Sequence, residues 1–503
     1  MSITGIGSNT ANSALLLQNM ENQLDVLSRQ LGTGQKAAVY SDLGSQAGLT
    51  VGLDAQLSAI NGFSDTNTTV STTLGIQQEA ISQLVGVGTT VQADIAQTSF
   101  TLNNNGQTSS QANAAAELDQ IFNTLNTQAG DNYLFSGSGP NLPSVDTTAH
   151  ILNGNGAAAG LKQVISERNQ ADLGAGVPPL GRLVIPAVVG STVSINEDVA
   201  GSPFGLKLAG VSSTLTGATI TQPAGSPKAM TVTLGPNPNS GDSVQFSLTL
   251  PDGTSQSIAL QATSSATPGA NQFAIGATPA ATAANLQAAL TTAVANVAQT
   301  TLPAASAITA SNNFFNSNPP QRVAGPPFNS ATALQNGTAA NTVFWYTGEN
   351  GATPARQTAI ALVGPSTQIS YGMRANEQAI GALVANVAAL ATTTYAPANA
   401  NAAVSYSALT QRVGANLSPQ QGAQNFTDIV VDIANAKTAA QNADAVNQQT
   451  KSTLTDMLQK IEGVSTDQIG AQILAVQTSL QASLSTTARL SQLSLVNYLS
   501  GTG

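Results

Sequence analysis

The sequence lacks cysteine altogether, and its 503 residues include a single histidine, His150. The absence of cysteine excludes disulfides, thiol catalysis, iron–sulfur clusters and cysteine-based zinc sites. One histidine cannot supply a multi-histidine metal site, and a histidine-dependent triad has only this residue to use. We expect His150 to be an ordinary loop residue, because it lies in a stretch rich in Thr, Ala, Asn and Gly.

Charge is also scarce, at 8% of the residues compared with about 25% in typical domains. The 15 basic residues are dispersed, and with 25 acidic residues they leave a net charge of −10. Because binding to polyphosphates needs clustered Lys and Arg, we expect no nucleic-acid partner. No apolar run approaches the roughly 18–20 residues of a membrane span, so membrane insertion is not expected. The first basic residue is Arg29, and we therefore expect no cleaved secretory leader.

No motif in the sequence predicts catalysis. The segment Gly32–Lys36 lacks the spacing of a phosphate-binding loop and follows a helical pattern, which indicates a helix end. Gly137-Ser138-Gly139 is not a nucleophile elbow. Two carboxylates could still meet in the fold, but no spacing singles out a pair. We therefore expect no catalytic residue, cofactor or metal, and the chain is not expected to be an enzyme.

Proline divides the chain into three parts, because all but two of the 22 prolines lie between residues 137 and 372. The flanking parts have helical periodicity, whereas the middle has short alternating segments. The predicted fold class is α+β, with long N- and C-terminal helices paired as a coiled-coil-like bundle that encloses a β-rich variable middle. The predicted domains are an N-terminal helical domain (1–136), one or more outer domains (137–373) and a C-terminal helical domain (374–503).

Heptad-like spacing identifies the candidate interface. Apolar residues alternate three and four positions apart in both terminal segments, as two helices in prolonged contact require. The predicted assembly interface comprises Leu17, Met20, Leu24, Leu27, Leu31, Ile473, Val476, Leu480, Leu484, Leu490 and Leu493. Similar runs extend from Ile60 to Leu102, in a helix that would start at Leu53 if it is continuous, and from 426 to 461. An ordinary long-helix bundle is the alternative interpretation of each run taken alone.

The middle part predicts several β-strands. Val244 to Leu260 alternates around a Pro251-Asp252-Gly253 turn, which indicates a β-hairpin. Further strands are predicted at 230–234, 343–346, 359–363 and 368–371. A helix is expected at 286–297, after Pro279.

Several motifs at the two ends are similar to those of one bacterial family. They are Leu27–Lys36, Ser41–Leu49, Asp131–Ser138, Tyr371–Glu377, Gln481–Leu484 and Leu493–Leu499. In this order they resemble the flagellin superfamily, and the Tyr133-Leu134-Phe135-Ser136-Gly137 signature is most like its hook–filament junction proteins (flagellin-like hook-associated proteins). The resemblance covers about the first 137 and the last 130 residues. One acidic residue of the family's Asp pair is missing, and Glu79–Gly86 lacks the family's arginine.

The resemblance implies an extracellular structural subunit of the flagellum, exported unfolded by the flagellar type III apparatus. It implies four kinds of partner: copies of the chain itself, hook-associated proteins, flagellin and an export chaperone at the C-terminal helix. A position at the hook–filament junction is the preferred hypothesis, and a filament flagellin is the alternative. From a different class, a secreted adhesin or surface enzyme with a helical stalk is the second alternative.

Overall fold

The computed structural model describes residues 4–97 and 99–500, with the side chains of α1 from residue 11 onward and those of α10 to Arg489, plus Gln492. The described chain is mixed, 53% helical and 15% strand, with long helices at both ends. The α-helices of this part are α1 (Thr4–Thr33), α2 (Ala47–Gln97), α3 (Ser109–Leu125), α4 (Thr148–Asn153), α5 (Leu161–Leu173), α6 (Pro279–Asn316), α7 (Gln378–Thr392), α8 (Ala402–Asn416), α9 (Phe426–Glu462) and α10 (Thr466–Ser500).

The strands lie almost entirely between the terminal helical segments. They are β1 (Gln128–Ala129), β2 (Asn132–Tyr133), β3 (Leu183–Val184), β4 (Thr192–Glu197), β5 (Lys207–Ser213), β6 (Ala218–Ala224), β7 (Ala229–Leu234), β8 (Ser243–Thr249), β9 (Ser255–Thr263), β10 (Gln272–Ala274), β11 (Gln321–Val323), β12 (Leu334–Asn336), β13 (Ile360–Leu362) and β14 (Gln368–Ser370). Two four-stranded sheets have the orders β10-β9-β8-β5 and β3-β4-β7-β6, and the remaining strands form two-stranded pairs.

The chain divides into two compact units. The terminal-helix unit comprises Met1–Ser71, Ala361–Ile369 and Thr438–Gly503, and the central unit comprises Thr72–Ile360 and Ser370–Lys437. Two of the boundaries between the units fall within α2 and α9, and the other two fall within β13 and β14.

The core of the central unit is formed by both four-stranded sheets together with α6. Phe246, Leu248 and Val232 from the strands join Leu286 and Leu290 of α6 in one buried cluster. The sheets are also linked through Gln222 of β6, which accepts a hydrogen bond from Val211 N (3.2 Å) and donates one to Val211 O (2.6 Å). A side-chain amide thus serves as a strand partner for β5.

Most of the predicted elements are present. The strand at 230–234 and the hairpin of β8 and β9, with Pro251–Gly253 as its turn, are confirmed, and in-register pairs join Val244 to Leu260 and Phe246 to Ile258. Strands are also present within 359–363 and 368–371, and the helix after Pro279 extends to Asn316.

Three local predictions are wrong. Residues 343–346 form no strand; Val343 N instead donates to Ala159 O, so the apolar pattern there reflects burial without a ladder. Helix α2 ends at Gln97 and does not reach the predicted end at 102. Phe100, which lies beyond the helix, packs against Tyr395 and Tyr406. His150 lies in α4, because the Thr147 side chain caps that helix by accepting from His150 N.

Candidate assembly interface

The first and last helices of the terminal-helix unit pack against each other. Beyond the end of α1, Gly34 adopts φ +69°, and its carbonyl accepts a hydrogen bond from Val464 N (3.0 Å), just before α10 begins. Since the C-terminal end of α1 therefore lies beside the N-terminal end of α10, the two helices run antiparallel.

A periodic set of positions on each helix is shielded from solvent. On α1 these positions are Ser13, Leu17, Met20, Leu24 and Leu27, and on α10 they are Ile469, Ile473, Val476, Leu480, Ser483 and Thr487. Leu27 and Ile469 are the most buried, each 6% exposed, whereas the others are only half-buried. The contact is therefore a narrow stripe with a hydroxyl-rich end.

The structure places the predicted interface residues in three groups. Leu17, Met20, Leu24, Leu27, Ile473, Val476 and Leu480 lie on the shielded faces. Leu31 is 41% exposed and Leu484 is 48% exposed. Leu484 is exposed because Ser483 takes the shielded position instead. The next shielded residue after Leu480 lies three positions further along α10, whereas the prediction assumed four. The side chains of Leu490 and Leu493 lie outside the described residues.

The sequence prediction missed a second set of apolar residues on the same two helices. Leu15, Leu16 and Val26 of α1 and Leu474 of α10 are 58, 54, 43 and 65% exposed. The run Leu15-Leu16-Leu17 indicates such a second set in the sequence, since consecutive residues on a helix point about 100° apart and cannot all face one neighbouring helix. We call Leu15, Leu16, Val26, Leu474 and Leu484 the outer apolar surface.

The same unit contains a second helical layer, formed by the first half of α2 and the last part of α9. Leu53 and Ile60 of α2 cluster with Leu454, Leu458 and Ile461 of α9. This cluster packs α2, which follows α1 in the chain, against α9, which precedes α10.

Two buried asparagines lie near the same layer. Asn67 Nδ2 donates to Ala440 O (2.8 Å), and Asn447 Nδ2 donates to Val363 O (2.8 Å). Each asparagine is only 2% exposed. Because a buried amide that loses its partner is costly, these bonds favour one alignment of the packed segments.

The electrostatics of this unit are those of an exposed surface. Arg29 on α1 and Arg489 on α10 are both exposed. In the segment between α1 and α2, the Tyr40 hydroxyl donates a hydrogen bond to Asp54 Oδ2 of α2 (2.7 Å). This hydrogen bond raises the pKa of Tyr40.

Within residues 4–97 and 99–500, no group of three or more His, Cys, Asp or Glu side chains is arranged to hold a metal ion. The same part of the chain contains no helix with the length and hydropathy needed to cross a membrane. Neither a protein-family model nor a curated protein matches the sequence.

Proposed function

We propose that the chain is a structural subunit of the bacterial flagellum that self-assembles through its terminal helices. The observation that carries this proposal is that α1 and α10 cover one face of each other and still expose the outer apolar surface. Two helices alone cannot bury apolar residues on two faces. Further helices from neighbouring copies would bury them in a coiled-coil-like bundle.

Energetics support assembly as the role of this surface. Full burial of a Leu or Val side chain contributes about 1.5–3 kcal/mol relative to full exposure. The five side chains of the outer apolar surface are 43–65% exposed, so each would gain part of this energy on assembly. Only Arg489 and Asp467 are charged between Thr466 and Gly503, so little desolvation of charge opposes contact between copies. Large exposed apolar patches are typical of protein–protein contact sites.

The end motifs that resemble the flagellin superfamily give this assembly its biological setting. On that basis the subunit is extracellular, and its export proceeds through the flagellar type III apparatus. An export chaperone would cover α10 before secretion, because the outer apolar surface of that helix would otherwise promote aggregation. The preferred position is the hook–filament junction, where hook-associated proteins and flagellin are the neighbours.

Assembly can be tested with a double variant in the outer apolar surface. We expect Leu15→Asp with Leu474→Asp to abolish polymer or ring formation by the purified chain, as measured by sedimentation and negative-stain electron microscopy. The matched control is Gln18→Asp with Gln477→Asp, which adds the same charge at exposed polar positions of the same helices. Assembly that survives in the first variant, or fails equally in both, contradicts the proposal.

The position in the flagellum needs a separate experiment. In the source bacterium, deletion of the gene should leave bare hooks and release flagellin into the medium if the chain occupies the junction. If purified filaments consist mainly of this chain along their length, it is a filament flagellin. A stable monomer that leaves motility intact on deletion would favour the adhesin alternative.

A further inference from the structure

A second surface, located wholly within the central unit, has a different chemistry. A cavity of about 710 Å³ lies between the C-terminal end of α6, the N-terminal end of α7 and the segment 344–350. Its volume falls within the range of about 300–1,000 Å³ that is typical of small-molecule sites. We call this cavity the amide groove, after the side chains that line it: Asn316, Asn318, Asn350, Asn376 and Gln378, together with the ring of Phe344.

The polar side chains of the groove are all neutral. The lining contains Asn, Gln, Ser and Tyr but no Asp, Glu, Lys or Arg. The nearby charges Glu349 and Arg374 neutralise each other in an ion pair. A phosphate, carboxylate or ammonium ligand would therefore lose its hydration without gaining a counter-charge.

Several amides retain hydrogen-bonding capacity toward the groove. Gln378 Oε1 accepts from Gln424 N (3.1 Å), which leaves its NH₂ group available. Asn376 Nδ2 donates a hydrogen bond to Asn350 Oδ1 (2.8 Å). The side-chain oxygen of Asn376 and the NH₂ group of Asn350 can therefore bind a ligand. Paired donors and acceptors of this kind match the adjacent hydroxyls of a sugar, each of which both donates and accepts.

The aromatic side chains supply the apolar part of the site. Phe344 is half-buried and lines the groove beside Trp345 and Tyr346. Trp345 is held in place because its Nε1 donates to Phe315 O (2.9 Å). A partly exposed ring on a fixed support offers a flat apolar face to the C–H side of a pyranose.

The groove is also rigidly framed. Gly381 of α7 lies against α6, and a Cβ at this position would collide with Asn316 Oδ1. Ser311 of α6 donates to Ala385 O of α7 (2.6 Å). These close contacts fix the two helix ends that carry the amides, so a ligand would meet a largely preformed site.

We propose that the amide groove binds a neutral oligosaccharide. This inference is independent of the proposed assembly function, because the groove belongs to the central unit and the outer apolar surface to the terminal-helix unit. Failure of either proposal leaves the other intact.

The chain provides its own probe for this test, since Trp345 is its only tryptophan and lines the groove. The full-length protein is titrated with maltotetraose, cellotetraose and chitotetraose, with anionic tetragalacturonate as the charged comparison. Tryptophan fluorescence and saturation-transfer NMR report binding. We expect a saturable change with at least one neutral tetrasaccharide and none with tetragalacturonate.

Variants then assign the binding to the groove. Phe344→Ala should weaken it roughly threefold to tenfold, as expected for loss of one ring contact. Asn318→Ala and Gln378→Ala, at exposed positions, should each weaken it about fivefold. Asn329→Ala, an exposed asparagine of the same unit outside the groove, should have no effect.

Three outcomes would overturn the proposal. One is the absence of a saturable signal with all three neutral probes at millimolar concentration. Another is binding that the groove variants and Asn329→Ala leave equally unchanged. The third is a preference for tetragalacturonate over every neutral sugar.

Discussion

The two units of the molecule use their few charged residues in opposite ways. In the central unit, every arginine is paired with a carboxylate: Arg168 with Asp172, Arg182 with Asp198, Arg322 with Glu167, Arg356 with Glu377 and Asp432, Arg374 with Glu349, and Arg412 with Asp252. In the terminal-helix unit, Arg29 and Arg489 are exposed. The arginines therefore have a structural role in the central unit and lie at the surface in the terminal-helix unit.

Apolar residues show the complementary difference. The central unit buries Phe246, Val232 and Leu290 completely or nearly so in a closed core. In the terminal-helix unit, most shielded positions of α1 and α10 are only half-buried, and Leu474 is 65% exposed. The central unit thus has a closed apolar core, whereas the first and last helices leave much of their apolar surface exposed.

The largest expected effect tests the buried charges. Arg322→Ala should lower the free energy of unfolding of the central unit by about 3–5 kcal/mol, because it leaves Glu167 buried without its partner. Glu167 is 2% exposed and accepts a hydrogen bond from Arg322 Nε at 2.8 Å. Urea unfolding followed by Trp345 fluorescence measures the change. Arg489→Ala, the control in the other unit, should change the stability by less than about 0.5 kcal/mol, and similar losses in both variants would remove the contrast.

The next effect concerns the contact between the terminal helices. Ile473→Asp with Leu480→Asp should weaken the α1–α10 contact by about 2–4 kcal/mol, since each half-buried side chain loses part of its burial energy. Hydrogen exchange should then show lost protection in residues 13–31 and 466–487, with the central unit unchanged.

The matched control for this contact is Gln472→Asp with Gln477→Asp, which adds two carboxylates at exposed positions of α10. Equal loss of protection in the control would mean that charge alone destabilises α10. Strong exchange protection of α10 in the doubly substituted apolar variant would show that the stripe does not hold the pair together.

Helix caps provide a smaller comparison between the units. In the central unit, Thr108 and Gln111 form a reciprocal and fully buried capping box at the start of α3. Thr108→Ala should cost about 1–2 kcal/mol. In the terminal-helix unit, the exposed Ser465 accepts from Gln468 N at 3.4 Å, and Ser465→Ala should cost no more than about 0.5 kcal/mol. Thermal unfolding of the two variants, followed by circular dichroism and Trp345 fluorescence, tests this order.

The smallest expected effect is a pH dependence. Burial raises the pKa of Glu377 above its ordinary value of 4.5, despite the ion pair with Arg356. The folded state therefore binds this proton more tightly than the unfolded state does. The resulting stabilisation is fully present below pH 4.5 and is lost as the pH rises through the folded-state pKa.

Glu377→Gln should remove this part of the pH dependence, as measured by urea unfolding of the central unit from pH 4 to about pH 8. Glu21→Gln, at an exposed carboxylate of α1, is the comparison and should leave the curve unchanged. An unaltered slope in Glu377→Gln would mean that another group is responsible.

Sequence reasoning predicted the elements whose signal is local. The spacing of Leu17, Met20, Leu24 and Leu27 was sufficient to predict both the helix and its shielded face, because helical periodicity depends only on the backbone. The β8–β9 hairpin followed from alternation around Pro251-Asp252-Gly253 for the same reason. The prediction of a strand at 343–346 is wrong, since a buried irregular segment and a strand can share one apolar pattern.

The candidate sites needed long-range information. That Ser483, and not Leu484, faces α1 depends on the register between two helices more than 430 residues apart in sequence. The amide groove brings Asn318, Phe344 and Gln378 together from three separate segments of the chain. No spacing in the sequence marks such a group, because its members are adjacent only after folding.

The sequence by itself determined that this protein has little charge, no cysteine, long periodic helices at both ends and alternating strands between them. These properties depend on composition and on the local geometry of the backbone. The tertiary structure decided which apolar residues α1 and α10 bury and which they leave exposed, because that depends on helix register. It also decided which arginines are paired and where the neutral amides meet, since both require residues from distant parts of the chain to come into contact.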